Sequence, residues 1–228
     1  MRESEEILAD IRSIATIYTD KHFVYTGGTH GDAYANYRAL GAKEHLPLVR
    51  EASVALVLAI SKKLGFDQHE PIVLVGPESL GAIMAQQAYF ASHQEIKNIV
   101  YCRMLRKQSG GVFTWSSSPD DLFTHHSQVI LLDDALNAGS TISNRARPLV
   151  EEAGGRIKAV GVIGDRSGLS PSELGVEHIE ALERIPLERY PEAECPLCAK
   201  LVPIARHPGH GHQYERSHPN YKGGYTDL

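Results

Sequence analysis

The sequence predicts an α/β fold, a parallel sheet with helices on its faces. Two observations carry that reading. Short apolar runs of strand length recur at residues 71–75, 98–103, 129–132 and 157–163. Helical patterns lie between them, at 45–65, from about 80 to 92, and from 142 to 153. Strands that alternate with helices imply parallel pairing through right-handed crossovers. Ligand sites in such sheets lie beyond the carboxyl ends of the strands. The stretches at Gly76, Arg103 and Asp133 all follow strands, so all three fall on that edge.

Composition sets the bounds. A chain of 228 residues with 42% apolar side chains suits one α/β domain with an appendage. A net charge of −5 and no long basic block argue against nucleic acid as the main partner. No apolar run is long enough to span a bilayer. The acidic, amphipathic start MRESEEILADI is unlike a signal peptide. Three cysteines are too few and too odd for a disulfide framework. The expectation is a reduced, cytoplasmic protein that binds neither nucleic acid nor membrane.

In chain order, residues 3–19 read as a helix with Ile7, Leu8, Ile11, Ile14 and Ala15 on one face. His22 to Thr26 suits a strand, Gly27-Gly28 a turn, and Ala33 to Tyr37 a second strand, together a hairpin ahead of the core. Residues 45–65 form a long helix ended by Gly65. Pro71 to Val75 is a buried strand, followed by Gly76-Pro77-Glu78-Ser79-Leu80-Gly81 and a helix. A strand, a Gly-bounded turn and a helix N-terminus make an anion site. Asn98 to Arg103 is a third strand, carrying Cys102 as a small buried hydrophobe. Arg103, Arg106 and Lys107 gather at its end, where cations can neutralise phosphate oxygens. Residues 108–128 read as a loop too long to be mere connection. Ile157 to Ile163 is a core strand, and an edge strand follows near Ala181 to Ile185.

The stretch 128–155, QVILLDDALNAGSTISNRARPLVEEAGG, organises the rest. Val129 to Leu132 is a buried strand, and Asp133 and Asp134 end it. Asn137-Ala138-Gly139-Ser140-Thr141 is a small-residue turn, and a helix follows until Gly154 and Gly155. Backbone N–H groups and the helix dipole point into that turn, where small residues let a phosphate approach. Paired carboxylates beside it can accept hydrogen bonds from sugar hydroxyls, directly or through a hydrated metal ion. Two acids so close to an apolar strand are expensive unless they are used.

The order apolar run, Asp-Asp, two residues, polar, small, Gly, Ser, Thr resembles the phosphoribosyl pyrophosphate (PRPP) motif of type I phosphoribosyltransferases. The family usually has Thr where this chain has Asn137. The order Thr-Gly, His-Gly-Asp, Tyr, Asn over residues 26–36 is similar to the hood of orotate phosphoribosyltransferases. The resemblance implies a type I phosphoribosyltransferase-like parallel sheet flanked by helices, with a small hood from the N-terminal segment. It places the catalytic domain at 1–190, with the hood at about 20–40, the core at about 45–185, and a tail at 191–228 packing on the domain. It implies a phosphoribosyltransferase that joins a nitrogenous base, orotate first, to PRPP with release of pyrophosphate. The alternatives are another base, or a non-catalytic PRPP- or nucleotide-binding regulatory protein.

By that resemblance Asp133, Asp134, Arg106 and Lys107 serve catalysis. Asn137, Ala138, Gly139, Ser140 and Thr141 hold PRPP, together with Gly76, Pro77, Glu78, Ser79 and Arg103. The base falls to Thr26, Gly27, His30 and Tyr34. Mg²⁺ falls to Asp133 and Asp134, through water, and a homodimer is expected. The loop departs from the family, because residues 108–127 carry no Lys or Arg and offer only Asp120, Asp121, His125 and His126 as ionisable groups. The tail is rich in Pro, Gly, His and Tyr. Cys195-x-x-Cys198 with His207, His210, His212 and His218 matches no specific zinc spacing. A capping segment is therefore the first reading of the tail, and zinc at Cys195 and Cys198 the second.

Overall fold

The structure, a computed structural model, describes residues 2–25, 27–66, 69–77, 79–92, 96, 98–108, 112–117, 123, 127–185 and 187–228. Helix α1 (Ser4–Ile14) precedes four short strands, β1 (Thr16–Tyr18), β2 (Phe23–Val24), β3 (His30–Gly31) and β4 (Tyr34–Asn36). Helix α2 (Leu46–Leu64), strand β5 (Ile72–Pro77), helix α3 (Leu80–Ser92) and strands β6 (Ile99–Lys107), β7 (Phe113–Trp115) and β8 (Gln128–Leu136) follow. Then come α4 (Arg147–Glu152), β9 (Arg156–Asp165), α5 (Pro171–Leu174) and β10 (His178–Arg184). The chain ends with α6 (Pro196–Ala199), β11 (Ile204–Ala205), α7 (Gly211–Ser217) and β12 (Tyr225–Thr226). Two compact units result: Met1–Ile14 with Tyr37–Ile185, and Ala15–Asn36 with Pro186–Leu228.

The first unit holds a six-stranded sheet in the order β10-β9-β8-β5-β6-β7. It is parallel except for β7, which pairs antiparallel with β6. Strand β5 enters first, β6 lies on one side of it and β8 on the other. That reversal is a topological switch point, and it opens a crevice at the carboxyl ends of β5 and β8. The central strands are covered on both faces, so they read as continuous apolar runs. Val73, Val75, Val129 and Leu131 share a core with Ile142, Ala146 and Val150 of the helix after β8. On the opposite face α2 and α3 pack together, and Gly161 of β9 lies against Leu56 and Ile60 of α2. Helix α2 stops at Gly65, whose φ of 56° is the left-handed conformation that glycine adopts most readily.

Several elements differ from the sequence expectation. Helix α1 stops at Ile14, because β-branched Thr16 and Ile17 pair with Asn36 and Ala35. Strand β8 does not end at the aspartates. It continues to Leu136, held by pairing of Asp133 with Val162 and of Leu136 with Asp165. Strand β6 runs on to Lys107 because Leu105, Arg106 and Lys107 pair with Trp115, Thr114 and Phe113. Part of the expected loop is thus a strand.

In the second unit, residues 191–228 and residues 15–36 build one compact body. Backbone pairing accounts for this. His22 bridges Ile204, His30 bridges Tyr190, and the Ala205 amide donates to the His22 carbonyl at 2.8 Å. The interior is largely aromatic, with Phe23, Tyr25 and Ala205 in one cluster and Val24, Ile204 and Tyr214 in another.

The turn after β5 is held by backbone contact. A Cβ on Gly76 would lie 2.0 Å from the Gly81 carbonyl oxygen and 2.9 Å from the Ala82 amide nitrogen. Gly76→Ala is expected to destabilise the protein by about 1–3 kcal/mol through overpacking. Urea denaturation checks this as a lowered midpoint at unchanged m.

Candidate functional site

The site is built at the switch point. Strand β5 delivers Gly76 and Pro77, both buried, and Ser79 lies exposed just ahead of α3. Glu78 lies outside the described residues. Strand β8 delivers Asp133 and Asp134, both partly covered, then Asn137 and Ala138, which are exposed. The first turn of α3 rests on β8, for a Cβ on Gly81 would meet the Leu132 carbonyl at 2.7 Å and Asp133 Oδ1 at 3.0 Å. The turn after β5 is thereby laid against the first carboxylate.

Gly139 reverses the chain after β8. Its φ is 72°, and a Cβ there would meet Leu174 Cδ1 at 2.7 Å and Leu169 Cδ1 at 3.1 Å. Its carbonyl accepts from the amides of Ile142 and Ser143, each at 2.9 Å. Those are the first bonds of the helix, so the amides just ahead are the unpaired donors of its N-terminus. The helix opens with a π-type stretch, Ile142–Ala146, before α4. Wide turns of this kind are frequent at functional sites. The arrangement suits an anion held on backbone amides beside two carboxylates.

Asp133 Oδ1 accepts the Asp134 amide at 2.9 Å. Among the described residues neither carboxylate enters an ion pair. Burial, and then the neighbouring Asp134, hold the Asp133 carboxyl well above the usual carboxylate range. The pair is thus poised for hydroxyl donors or a cation.

The expected cations separate. Arg103 is buried, and its Nη1 donates to the carbonyl of Ser117 at 3.2 Å and to the Ser117 hydroxyl. Arg106 and Lys107, further along β6, are exposed. Asp120, Asp121, His125 and His126 lie outside the described residues.

The expected base contacts lie in the second unit. Thr26 is outside the described residues, and Gly27 is exposed with φ 91°. Tyr34 is partly covered and stacks on Tyr25 at 6.3 Å. The His30 ring is fully buried, and its Nδ1 lies 2.9 Å from His22 Nε2. Cys195 and Cys198 converge on the same two rings, whereas His207, His210, His212 and His218 do not join them. Sequence reasoning missed His22 altogether. The usable signal was a pair of histidines flanking a Gly-Gly hairpin turn, which register places on one face. Burial, and then His22, lower the His30 pKa to about 4, so its imidazole is neutral near pH 7.

No protein-family model matches the chain. It is similar to orotate phosphoribosyltransferase of Carboxydothermus hydrogenoformans, 28% identical over 193 residues covering 81% of this chain and 87% of the relative. A second orotate phosphoribosyltransferase, from a Thermoanaerobacter species, is 24% identical over 205 residues, 90% of this chain and 96% of the relative. Among solved structures, adenine phosphoribosyltransferase of Thermoanaerobacter pseudethanolicus superposes with a TM-score of 0.53 at 16% identity, covering 78% of this chain and 99% of that one. Orotate phosphoribosyltransferase of Francisella tularensis superposes at 0.52 and 15% identity, covering 79% and 84%. The fold is that of the type I phosphoribosyltransferases. By sequence the chain is similar, at 28% and 24% identity, to proteins named orotate phosphoribosyltransferase.

Two outcomes are expected here. Gly139→Val places a branched side chain at a positive φ against Leu174 and Leu169, and should abolish measurable PRPP binding in calorimetry of the folded variant. Asp133→Asn should separate stability from binding. A carboxyl whose folded pKa is raised favours folding most when protonated, below its unfolded pKa of about 3.9, and that advantage is lost as pH rises through the folded value. Asp133→Asn should therefore raise the melting temperature by a few degrees at neutral pH, with the gain vanishing toward acid. It should also weaken PRPP binding by about 1–3 kcal/mol, the magnitude of a lost charged hydrogen bond.

Proposed function

We propose that this chain is a phosphoribosyltransferase that joins a nitrogenous base, orotate first among candidates, to PRPP with release of pyrophosphate. One observation carries the reading: Asp133 and Asp134 stand beside the Gly139 turn at the switch point of a type I phosphoribosyltransferase fold. Similarity to proteins named orotate phosphoribosyltransferase supports the choice of base.

In this reading the 5-phosphate sits on the amides of Asn137 to Thr141, and Asp133 and Asp134 accept the ribose hydroxyls. Mg²⁺ is the proposed cofactor. The fit rests on two adjacent hard-oxygen donors that enter no ion pair among the described residues, one of them with a raised pKa. Asp133 and Asp134 would hold it through water, and when bound it supplies positive charge to the pyrophosphate. Gly76, Pro77 and Ser79 line the turn proposed for the pyrophosphate. Arg106 and Lys107 meet the developing charge as the bond at ribose C1 loosens toward an oxocarbenium-like state. Gly27 and Tyr34 are assigned to the base on the resemblance alone. A cytoplasmic homodimer completes the proposal. No helix among the described residues is long and apolar enough to cross a membrane.

One feature favours a second reading, a PRPP- or nucleotide-binding protein without catalysis. Residues 108–127 bring no Lys or Arg to the leaving group. Pyrophosphate release from PRPP and Mg²⁺, measured with orotate and a panel of other bases, decides between them. Release with orotate supports the first reading, release with another base alone changes the substrate, and release with none selects the second. In an active protein Arg106→Ala and Lys107→Ala should each lower kcat about 10- to 10³-fold with little change in PRPP affinity. Light scattering at micromolar protein should return the mass of two chains.

A further inference from the structure

The second unit contains a constellation outside the PRPP site. His22, His30, Cys195 and Cys198 each offer one ligand atom, and these four atoms all lie within 4.8 Å of one another. Cys195 and both histidines are buried, and both thiols are free. We propose that these four side chains form a closed, structural zinc site that fastens the N-terminal hairpin of this unit to its C-terminal segment.

The distances carry the assignment. Zinc bonds of about 2.3 Å to sulfur and 2.0 Å to nitrogen, arranged as a tetrahedron, set sulfur about 3.5 Å from nitrogen and the nitrogens about 3.3 Å apart. Cys195 Sγ lies 3.6 Å and Cys198 Sγ 3.7 Å from His22 Nε2. Cys198 Sγ lies 3.2 Å from His30 Nδ1, and the two ring nitrogens are 2.9 Å apart. Four of the six edges of the tetrahedron thus stand within a few tenths of an ångström of these lengths, and all six lie within 4.8 Å.

Backbone geometry produces the convergence. Strands β2 and β3 pair Val24 with His30, so His22 and His30 occupy diagonal positions on one face of the hairpin. Cys195 precedes α6 and Cys198 lies within it. The Ala199 amide donates to the Cys195 carbonyl at 3.1 Å and the Leu201 amide to the Cys198 carbonyl at 3.0 Å, closing a tight turn around the pair. Leu201 completes that turn at φ 55°, a conformation leucine seldom adopts.

The surroundings suit a metal ligand set. His22 Nδ1 donates to the Val202 carbonyl at 2.9 Å, which fixes the tautomer and turns the Nε2 lone pair toward the cluster. The same carbonyl accepts the Tyr221 hydroxyl at 2.9 Å. The His30 ring stands edge-on to Tyr214 at 5.1 Å, and Tyr221 stands edge-on to His22 at 6.2 Å. Two thiolates, two neutral imidazoles and Zn²⁺ sum to zero charge, so burial carries little electrostatic penalty. All four coordination positions are taken by protein, which marks a structural rather than a catalytic site. A small unit with an aromatic, sparsely aliphatic interior is the kind of scaffold that a metal stabilises.

The test uses the full chain, without a His tag and under reducing conditions. Elemental analysis should find one zinc per chain. Exchange for Co²⁺ should give tetrahedral d–d bands and thiolate-to-cobalt charge transfer of two-thiolate intensity, a reading of the ligand set in wild type that needs no variant. Cys198→Ser, the less buried of the thiols, should weaken Co²⁺ binding by about 10²-fold or more. The double variant His207→Ala, His212→Ala should leave stoichiometry and spectrum unchanged. Reduced wild type that holds no zinc and gives no cobalt spectrum would overturn the proposal. So would a tight equivalent that survives Cys198→Ser and Cys195→Ser, because the metal would then lie elsewhere. Pyrophosphate release plays no part in these readouts, so the two proposals stand or fall separately.

Discussion

The first unit depends on the contact between the turn after β5 and strand β8. Gly76 and Gly81 let two stretches of backbone meet, and Gly81 also rests against the Leu132 carbonyl and Asp133 Oδ1. No residue with a Cβ fits at Gly76 or Gly81 without displacing backbone. Strand order adds the second half of the constraint: with β6 on one side of β5 and β8 on the other, the turns after β5 and β8 diverge around a crevice. The turn after β5 and the carboxylates of β8 are therefore adjacent because of topology and glycine, before any side chain is chosen for its chemistry.

The same placement explains the electrostatics of Asp133. A carboxylate partly covered by the turn after β5, with a second carboxylate as its sequence neighbour, is held in its least favourable charge state. Nothing in the packing of β8 requires an acid there. Val162 and Ala159 opposite the strand are apolar, and the residues before Asp133 are wholly buried aliphatics. Stability is given up at this one position of the strand, which marks it as a candidate functional site.

The parts of this organisation that were legible in the sequence are local ones. Apolar runs marked β5, β8 and β9, and Gly139 with its polar neighbours marked the turn at the end of β8. What stayed hidden depended on pairing with distant residues. Thr16 to Tyr18 looked helical until β4 claimed them, and β8 outran its apolar stretch because β9 continued alongside. Lys107 belongs to a strand only because Phe113 returns beside it. Periodicity describes a segment's own faces, and strand ends are set by the neighbour.

The tail is the strongest case of that limit. Read alone, residues 191–228 offer one Cys-x-x-Cys and four histidines within reach in sequence, and none of those four histidines joins the cluster around the two cysteines. The partners of Cys195 and Cys198 lie more than 160 residues upstream, on a hairpin whose register alone brings His22 and His30 to one face. A hairpin this short is marginal by itself. It persists here because the C-terminal segment supplies its missing pairing, through the Ile204 and Tyr190 bridges, and its missing core, through Ala205, Ile204 and Tyr214. The four ligand atoms sit where those backbone bridges meet, so the histidines and cysteines mark the seam along which two remote stretches of chain become one unit.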